Sequence, residues 1–595
     1  MPRIDQLVDQ VIRTDVLVVG SEGTGARAAI AAADDGAAVL VATKGFVGKC
    51  GATLTADADI DVDSSTIAKL FALPGTHPED SPEKFFEDMV REGDWIGNQR
   101  LVEIHCEEAG PRVKELVDWG ARIDKLTHAP GHRYPRGIWI EGPEIAKALT
   151  KQILARQGAI SLLETTMVTD LLLRGGRCVG AIGLDYRSGK IVAFEAGAVI
   201  LCTGGAMRMY RYTTAPDELT GDGMAAAYRA GAELQDMEFP MMLPYVMIKP
   251  DAVNSIDYPY LLSAYLDAKA LNRMGQEYMN KWDKERLAWT TRDVNSIAAM
   301  VEVLEGRGGP NDGTYISLKH IPRNIMEGAK RFLPESMARW RYGAFDMKKF
   351  LPDLTQDAIE CAPACHFWNG GTRVNEHCET NIPGLYAAGE GTGGFHGGNR
   401  VSGNALTMTQ VWGPRAGHAA AKFVKRDGRG EADPAQVAAL RAKITAPMER
   451  ASGSNPIQIR NRIRYLSHRY LNAVREQRWL EQVLQEMKEL NEQAKMVHVR
   501  NRDLKKYNME WVEALQTENL LLMMEMVARG SLMRTESRGA MYRRDFPDTD
   551  GVNWLKNIVI RRDGDTLQMR TEPVVITRLQ PPRAAYKYSE QEGAR

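Results

Sequence analysis

Hydrophobic positions fall into short unbroken runs near the start of the chain and again near residues 200 and 385. The run Val16-Leu-Val-Val19 after Asp15 ends at Gly20 and predicts a buried strand of a parallel sheet, since both faces of such a strand are covered. Alanine-rich sequence from Arg27 to Ala33 predicts a helix closing near Gly36, and Ala38-Val-Leu-Val-Ala42 completes a strand–helix–strand unit. Proline in the first turn starts a long amphipathic helical stretch at Ser81-Pro82. Strand patterns return at Ala196–Leu201 and Gly384–Ala388. Between them, Glu238 to Pro352 is rich in methionine, tyrosine and proline and has the texture of an inserted domain. Long charged helices with few glycines occupy Ala435 to Ala528, which predicts a helical bundle. From Arg543 onward short apolar runs alternate with Pro and Asp, as expected of a segment draped over the other domains. The divisions that follow are 1–237, 238–352, 353–425, 426–545 and 546–595.

Composition adds exclusions. A chain of 595 residues is too long for one core, and 44% hydrophobic with 26% charged residues describes a globular protein. A formal net charge of -1 gives no electrostatic case for nucleic acid or an anionic membrane as main partner. No stretch approaches the ~20 apolar residues that span a bilayer, and Met1-Pro-Arg-Ile-Asp-Gln lacks the features of a signal peptide. Seven thinly spread cysteines suit a reducing compartment, so a cytoplasmic location is expected.

The chemistry lies in the glycine-rich strand ends. Gly20-Ser-Glu-Gly-Thr-Gly25 joins the first strand to its helix, where glycines permit a tight bend and a helix N-terminus meets a pyrophosphate. Glu22 stands where the usual motif has its middle glycine, and an ordinary glycine-rich turn stays open on this motif alone. Thr43-Lys-Gly45, rather than an acid, ends the second strand, which weakens an NAD reading. Gly51-Ala-Thr53, Thr203-Gly-Gly205, Thr220-Gly-Asp-Gly223, Pro383-Gly-Leu-Tyr-Ala-Ala-Gly-Glu390, His396-Gly-Gly-Asn-Arg400 and Ser402-Gly-Asn-Ala-Leu406 follow. Such loops can converge on one extended dinucleotide at the carboxyl edge of a sheet.

In this order and spacing the motifs resemble the succinate dehydrogenase/fumarate reductase flavoprotein family, which also includes L-aspartate oxidase and the adenylylsulfate reductase flavoprotein. Arg534-Thr-Glu-Ser-Arg-Gly-Ala-Met-Tyr-Arg-Arg-Asp-Phe-Pro547 with Asn553-Trp-Leu555 is similar to the family's C-terminal signature, with Met541 in place of a histidine. The resemblance implies an α/β fold: a split, Rossmann-like FAD-binding domain, an inserted α+β capping domain and a C-terminal helical bundle. It implies FAD held by Gly20, Ser21, Gly23 and Gly25; by Thr43, Lys44 and Gly45; by Gly51, Ala52 and Thr53; and by Val168. Thr203, Gly204, Gly205, Asp222, Gly389, Glu390, Asn404, Ala405 and Leu406 complete the expected contacts. Three residues match active-site positions: Arg292 passes a proton, His366 binds substrate and Arg400 clamps a carboxylate. An Arg292–Asp293 ion pair is the structural alternative for Arg292.

Two departures qualify the resemblance. Gly48-Lys-Cys-Gly-Ala-Thr53 has no flavin-linking histidine, so non-covalent FAD and more reducing chemistry are expected. Glu238-Phe-Pro240 replaces the family's Gln-Phe-His, and the capping-domain Thr-Glu pair is replaced around Ser255–Tyr260. Half of a dicarboxylate clamp is gone. Met241, Met242, Tyr245, Tyr258 and Tyr260 point either to a larger, less charged substrate than succinate or fumarate, or to simple packing. His132-Arg-Tyr-Pro-Arg136 is a further candidate for the same cleft. Cys361, Cys365 and Cys378 do not match an iron–sulfur or zinc spacing, so no metal is expected, and electrons would pass to a separate iron–sulfur subunit. Ser537–Pro547 resembles the family's region of contact with that partner. Membrane contact would come only through a partner, and a homo-oligomer of such heterodimers stays open. The expected activity is hydride transfer between FAD and a carbon–carbon bond next to a carbonyl or carboxylate. The alternatives are adenylylsulfate-type sulfur chemistry and a flavin subunit that only relays electrons.

Overall fold

The computed structural model describes residues 3–587 except 57–58, 252–253, 258, 261–262, 264–265, 323, 326–340, 343–344 and 347–355. Tyr258 and the end of the inserted segment near Pro352 therefore lie outside the described residues.

Strand Gln10–Val19 is the centre of a seven-stranded sheet. It runs parallel to Val39–Ala42 on one side and Lys190–Leu201 on the other. Ile160–Leu163 and Leu385–Ala387 extend the parallel part, while Thr166–Arg174 and Arg177–Asp185 add antiparallel strands. Val16, Leu17 and Val18 are fully buried, as the unbroken apolar run requires. Helix Gly23–Asp34 covers one face and packs on helix Asn404–Asp427. That approach is close enough for a Cβ on Gly417 to overlap the Ala28 carbonyl.

The helical stretch that opens at Pro82, capped by Ser81 Oγ, stops at Glu92. Asp94 and Trp95 adopt left-handed backbone there, and Asn98 caps a second helix, Gln99–Asp118. Two helices therefore replace the single long one expected.

In the inserted segment, Pro240–Met247, Thr314–Ser317 and Lys269–Leu271 join an antiparallel sheet with Ile359–Trp368, which pairs directly with Pro240–Met247. That last strand lies beyond the expected boundary at 352. Helix Arg292–Leu304 packs across this sheet. Helices Pro434–Glu449, Pro456–Tyr470, Gln477–Lys495 and Met509–Met533 form the expected bundle.

The C-terminal segment does more than drape. Strand Lys556–Asp563 pairs with Leu234–Gln235 and Thr566–Pro573, entering a five-stranded sheet with Gly371–Arg373 and Gly391–Gly393. The signature segment anchors it. Arg534 donates to Glu238 Oε1 at 2.8 Å and Glu536 Oε1 at 2.9 Å, and Arg538 reaches Glu536 from the other side. All four side chains are buried.

Candidate active site

The parallel strands at Val19, Ala42, Leu201 and Ala387 end side by side, and their loops open into a cavity of about 410 Å³. At one end lies the Gly20–Gly25 turn. Gly20 has φ +106°, and a Cβ there would overlap the Cys202 carbonyl; a Cβ on Gly25 would overlap the Gly20 carbonyl. Only glycine therefore lets the helix N-terminus close onto the strand end at the edge of the cavity. Beside it Lys44 Nζ donates to Asp222 Oδ2 at 2.7 Å and Thr220 Oγ1 at 2.8 Å. Glu22 also lines this end. Burial, reinforced by Glu218, pushes its carboxyl up to about 8, so it is largely neutral at pH 7. A protonated acid is compatible with a pyrophosphate where a carboxylate would not be.

At the other end, Arg292 opens helix Arg292–Leu304 and turns into the cavity. Its Nε donates to Tyr260 Oη at 3.0 Å and its Nη2 to Ser402 Oγ at 2.7 Å. The arginine is thus engaged across the cavity rather than only beside Asp293. Arg400 is buried over the Phe367 ring at 4.7 Å and donates from Nη1 to the Val401 carbonyl at 3.0 Å. Burial, then the neighbouring Arg292 charge, pulls Arg400 down to about 9. Among the described residues, Arg292 Nη1 and Arg400 Nε are buried donors without a partner. His366 holds Thr214 Oγ1 at 2.7 Å through Nδ1; burial and the two arginines drive its pKa well down, so the ring is neutral. Burial also raises Glu390, which accepts from the Trp368 amide at 2.9 Å, to about 8.

Most expected residues meet in this cavity. Gly20, Ser21, Gly23, Thr43, Lys44, Gly51, Ala52, Thr53 and Val168 line it, as do Thr203, Gly204, Asp222, Glu390, Ala405, Leu406 and the three active-site candidates. Gly25, Gly45, Gly205, Gly389 and Asn404 stand behind the lining: Asn404 Nδ2 donates to Asp61 at 2.8 Å, and a Cβ on Gly389 would overlap Thr24 Oγ1. His366 is the only histidine among the lining residues described.

The apolar group for which a larger substrate and simple packing were both open divides. Tyr260 lines the cavity, but Met241, Met242 and Tyr245 are buried elsewhere, Tyr245 Oη donating to Asn295 at 2.6 Å. Packing accounts for those three, and strand Pro240–Met247 presents Leu243 instead. Arg136 is a structural residue, paired with Asp80 at 2.7 Å and Asp88 at 2.6 Å, and His132 lies behind the wall. Cys361, Cys365 and Cys378 are buried free thiols, with burial raising all three. Ser402, Thr214, Glu218, Asp257 and Asp59 also line the cavity. Of these, Asp59 was visible in the alternation Asp59-Ile-Asp-Val-Asp63, which sets acids on one side of a strand.

The arrangement fits an elongated dinucleotide with its phosphates at the glycine turn and a reactive ring near the two arginines. The comparisons agree. The FAD binding domain family matches residues 15–406 and the fumarate reductase flavoprotein C-terminal family residues 460–588. The chain is 32% identical to a fumarate reductase (CoM/CoB) subunit of Methanothermobacter marburgensis, over 93% of this chain and 98% of that one. It is 34% identical to an uncharacterized FAD-dependent oxidoreductase of Methanocaldococcus jannaschii, covering 92% and 96%. The solved structure of Mycobacterium smegmatis Sdh1 in complex with UQ1 superposes with a TM-score of 0.85 at 31% identity, covering 96% of each chain. Among the described residues no helix is long and apolar enough to cross a membrane. The chain belongs to the succinate dehydrogenase/fumarate reductase flavoprotein family and is an FAD-dependent oxidoreductase.

Proposed function

We propose that this flavoprotein subunit transfers hydride between non-covalently bound FAD and the α,β carbon–carbon bond of an acid bearing a single carboxylate at the reacting end. The observation that carries the reading is that Arg292 and Arg400 both line one cavity and each keeps a buried donor, Nη1 and Nε, without a partner among the described residues. A buried guanidinium N–H without an acceptor is costly, and a substrate carboxylate supplies the acceptor to both arginines. A subunit that only relays electrons has no use for such a clamp. Around it Leu243, Ile256 and Phe367 offer no third cation for a second carboxylate.

Bound FAD supplies hydride exchange. The protein's own groups do the rest. The Gly20–Gly25 turn and the helix N-terminus hold the pyrophosphate, while Lys44 and Asp222 fix the neighbouring loop. Arg400 orients the carboxylate, neutral His366 donates to it without adding charge, and Arg292 carries the proton that accompanies hydride transfer. The lining around Gly51–Thr53 offers no histidine to form a covalent link. Electrons pass to a separate iron–sulfur protein. Similar proteins are named as subunits. Within Ser537–Pro547, Arg544, Asp545 and Pro547 are exposed enough to meet such a partner.

The test is anaerobic oxidation of a reduced viologen dye by the holoenzyme with fumarate, crotonate, methacrylate or cinnamate as acceptor. Turnover with a monocarboxylate above that with fumarate is expected. Fumarate as the better acceptor would remove the single-carboxylate claim, and silence with every acid would remove the whole reading.

A further inference from the structure

We propose that Ser402 is a positioning residue for Arg292: its hydroxyl fixes this arginine of the inserted segment in the cavity it shares with Arg400, without taking up its charge. The inference rests on the reading of Arg292 as the group that passes a proton to or from substrate. An arginine side chain is long and gives up much rotamer freedom when it is fixed, so a proton carrier of this kind needs a built holder.

The holder starts in the backbone. Arg400, Val401 and Ser402 lead into Gly403, which has φ +78°; a Cβ there would overlap Asp61 Oδ1, so only glycine makes this turn. Helix Asn404–Asp427 begins at once, and its first residue turns back. Asn404 Nδ2 donates to the Ser402 carbonyl at 3.1 Å and to Asp61 Oδ2 at 2.8 Å. His132 Nε2 lies 3.1 Å from the same carbonyl and 3.1 Å from Asp61, while Arg136 Nη1 faces its Nδ1 at 3.4 Å. Arg400 closes the other end through Nη1 to the Val401 carbonyl at 3.0 Å. Every one of these side chains is buried, and a buried network of this kind makes a rigid loop.

Arg292 comes from elsewhere in the chain. It opens a helix of the inserted segment, and that same segment supplies Tyr260, whose hydroxyl accepts from Nε at 3.0 Å. Ser402 Oγ accepts from Nη2 at 2.7 Å and, among the described residues, is the one hydrogen-bond partner of the Arg292 side chain outside the inserted segment. Nε and Nη2 share one edge of the planar guanidinium, so the two hydroxyls fix both its plane and its rotation. Three consecutive residues thus carry the clamp arginine and the anchor of the proton-carrying arginine, which sets two like charges in a fixed relation.

Both partners of Arg292 are neutral. Asp59 and Asp257 line the same cavity but, among the described residues, make no hydrogen bond to it. A carboxylate at position 402 would pair with the guanidinium. A hydroxyl holds it and leaves its charge for the substrate, with Nη1 still lacking a partner among the described residues.

The first arm of the test needs no substrate. Thermal unfolding of the holoenzyme is followed in wild type, Ser402→Ala, Arg292→Met and the double variant. Ser402→Ala is expected to lower the Tm by about 1–4 °C in the wild type. In the Arg292→Met background it lowers nothing further, because the bond it removes is already gone. The same shift in both backgrounds, or no shift in either, overturns the proposal. In the second arm, with the best acid from the viologen screen, Ser402→Ala loses about 10- to 100-fold in kcat, the penalty of a misplaced group. Butyrate affinity, which Arg400 sets, changes less than about fivefold. Ser402→Thr keeps the hydroxyl and most of the turnover. An unchanged kcat, a loss carried by affinity instead, or a threonine variant as slow as the alanine one overturns the proposal. Silence of the wild type with every acid sinks the parent reading alone, and the thermal cycle still decides this one.

Discussion

Replacing Arg400 by Gln tests the carboxylate clamp. The guanidinium is buried, stacked on Phe367, and satisfied at Nη1 but not at Nε. Burial and Arg292 bring it from the ordinary arginine range to about 9, a drop equivalent to about 5 kcal/mol of disfavoured charge. Glu390, Asp61 and Tyr260 offset only part of that cost. A bound carboxylate recovers a share through charge-assisted hydrogen bonds, each worth about 1.5–3 kcal/mol. With one free donor at Nε, Arg400→Gln is therefore expected to weaken binding of a saturated monoanion such as butyrate by about 10- to 150-fold. The assay is titration of the holoenzyme with butyrate, followed by the flavin absorbance change, from pH 6 to 11. Arg400 is charged below its folded pKa, so affinity stays high at low pH and falls about tenfold per unit above about 9. Glu390 ionises near 8 and acts in the same direction, so the titration is repeated in Glu390→Gln, where the Arg400 limb must remain. Neutral His366 adds no limb between pH 5 and 8. Affinity that stays level to pH 10.5 in Glu390→Gln, or Arg400→Gln binding like wild type, would refute the reasoning.

Three further outcomes follow from other parts of the molecule. Gly25→Ala places a methyl against the Gly20 carbonyl; the displaced turn is expected to cost about 1–3 kcal/mol of FAD affinity, read by flavin content after dialysis with circular dichroism unchanged. Glu22 ionises near pH 8, which sets a carboxylate beside the cofactor phosphates, so wild-type FAD loss on gel filtration rises above that pH while Glu22→Gln shows no such rise. Arg534→Met strands Glu238 in the interior, leaving Glu536 to Arg538 alone, and is expected to destabilise the fold by about 3–5 kcal/mol, seen as a lower Tm in thermal denaturation.

Legibility followed locality. The Gly20–Gly25 turn, its strand and its helix are written within 25 residues, and periodicity and glycine placement specify them together. The convergence of the loops at Gly20, Thr43, Thr203 and Gly389 became readable because each follows a strand end of the same parallel sheet. Strand Pro240–Met247 was different. Register shifts between Met241 and Met242, and again between Leu243 and Val246, decide which side chains face the cavity. A one-position slip exchanges the two faces, so Leu243 rather than Met241 or Met242 lines it. Pairing of Lys556–Asp563 with Leu234–Gln235 joins residues over 300 positions apart, and no local pattern announces it. Asp59 was missed, although the alternating acids Asp59-Ile-Asp-Val-Asp63 were a signal that could have found it. Its place in the cavity lining depends on the antiparallel pairing of Asp59–Asp61 with Gly137–Trp139, which is distant in sequence.

The claim on which the rest depends is that this cavity holds FAD without a covalent bond. It is tested most directly by the visible spectrum of the purified protein before and after acid precipitation. A flavin spectrum whose colour moves into the supernatant is the predicted result. A protein that stays colourless when offered FAD, or a flavin that stays with the pellet, would contradict it.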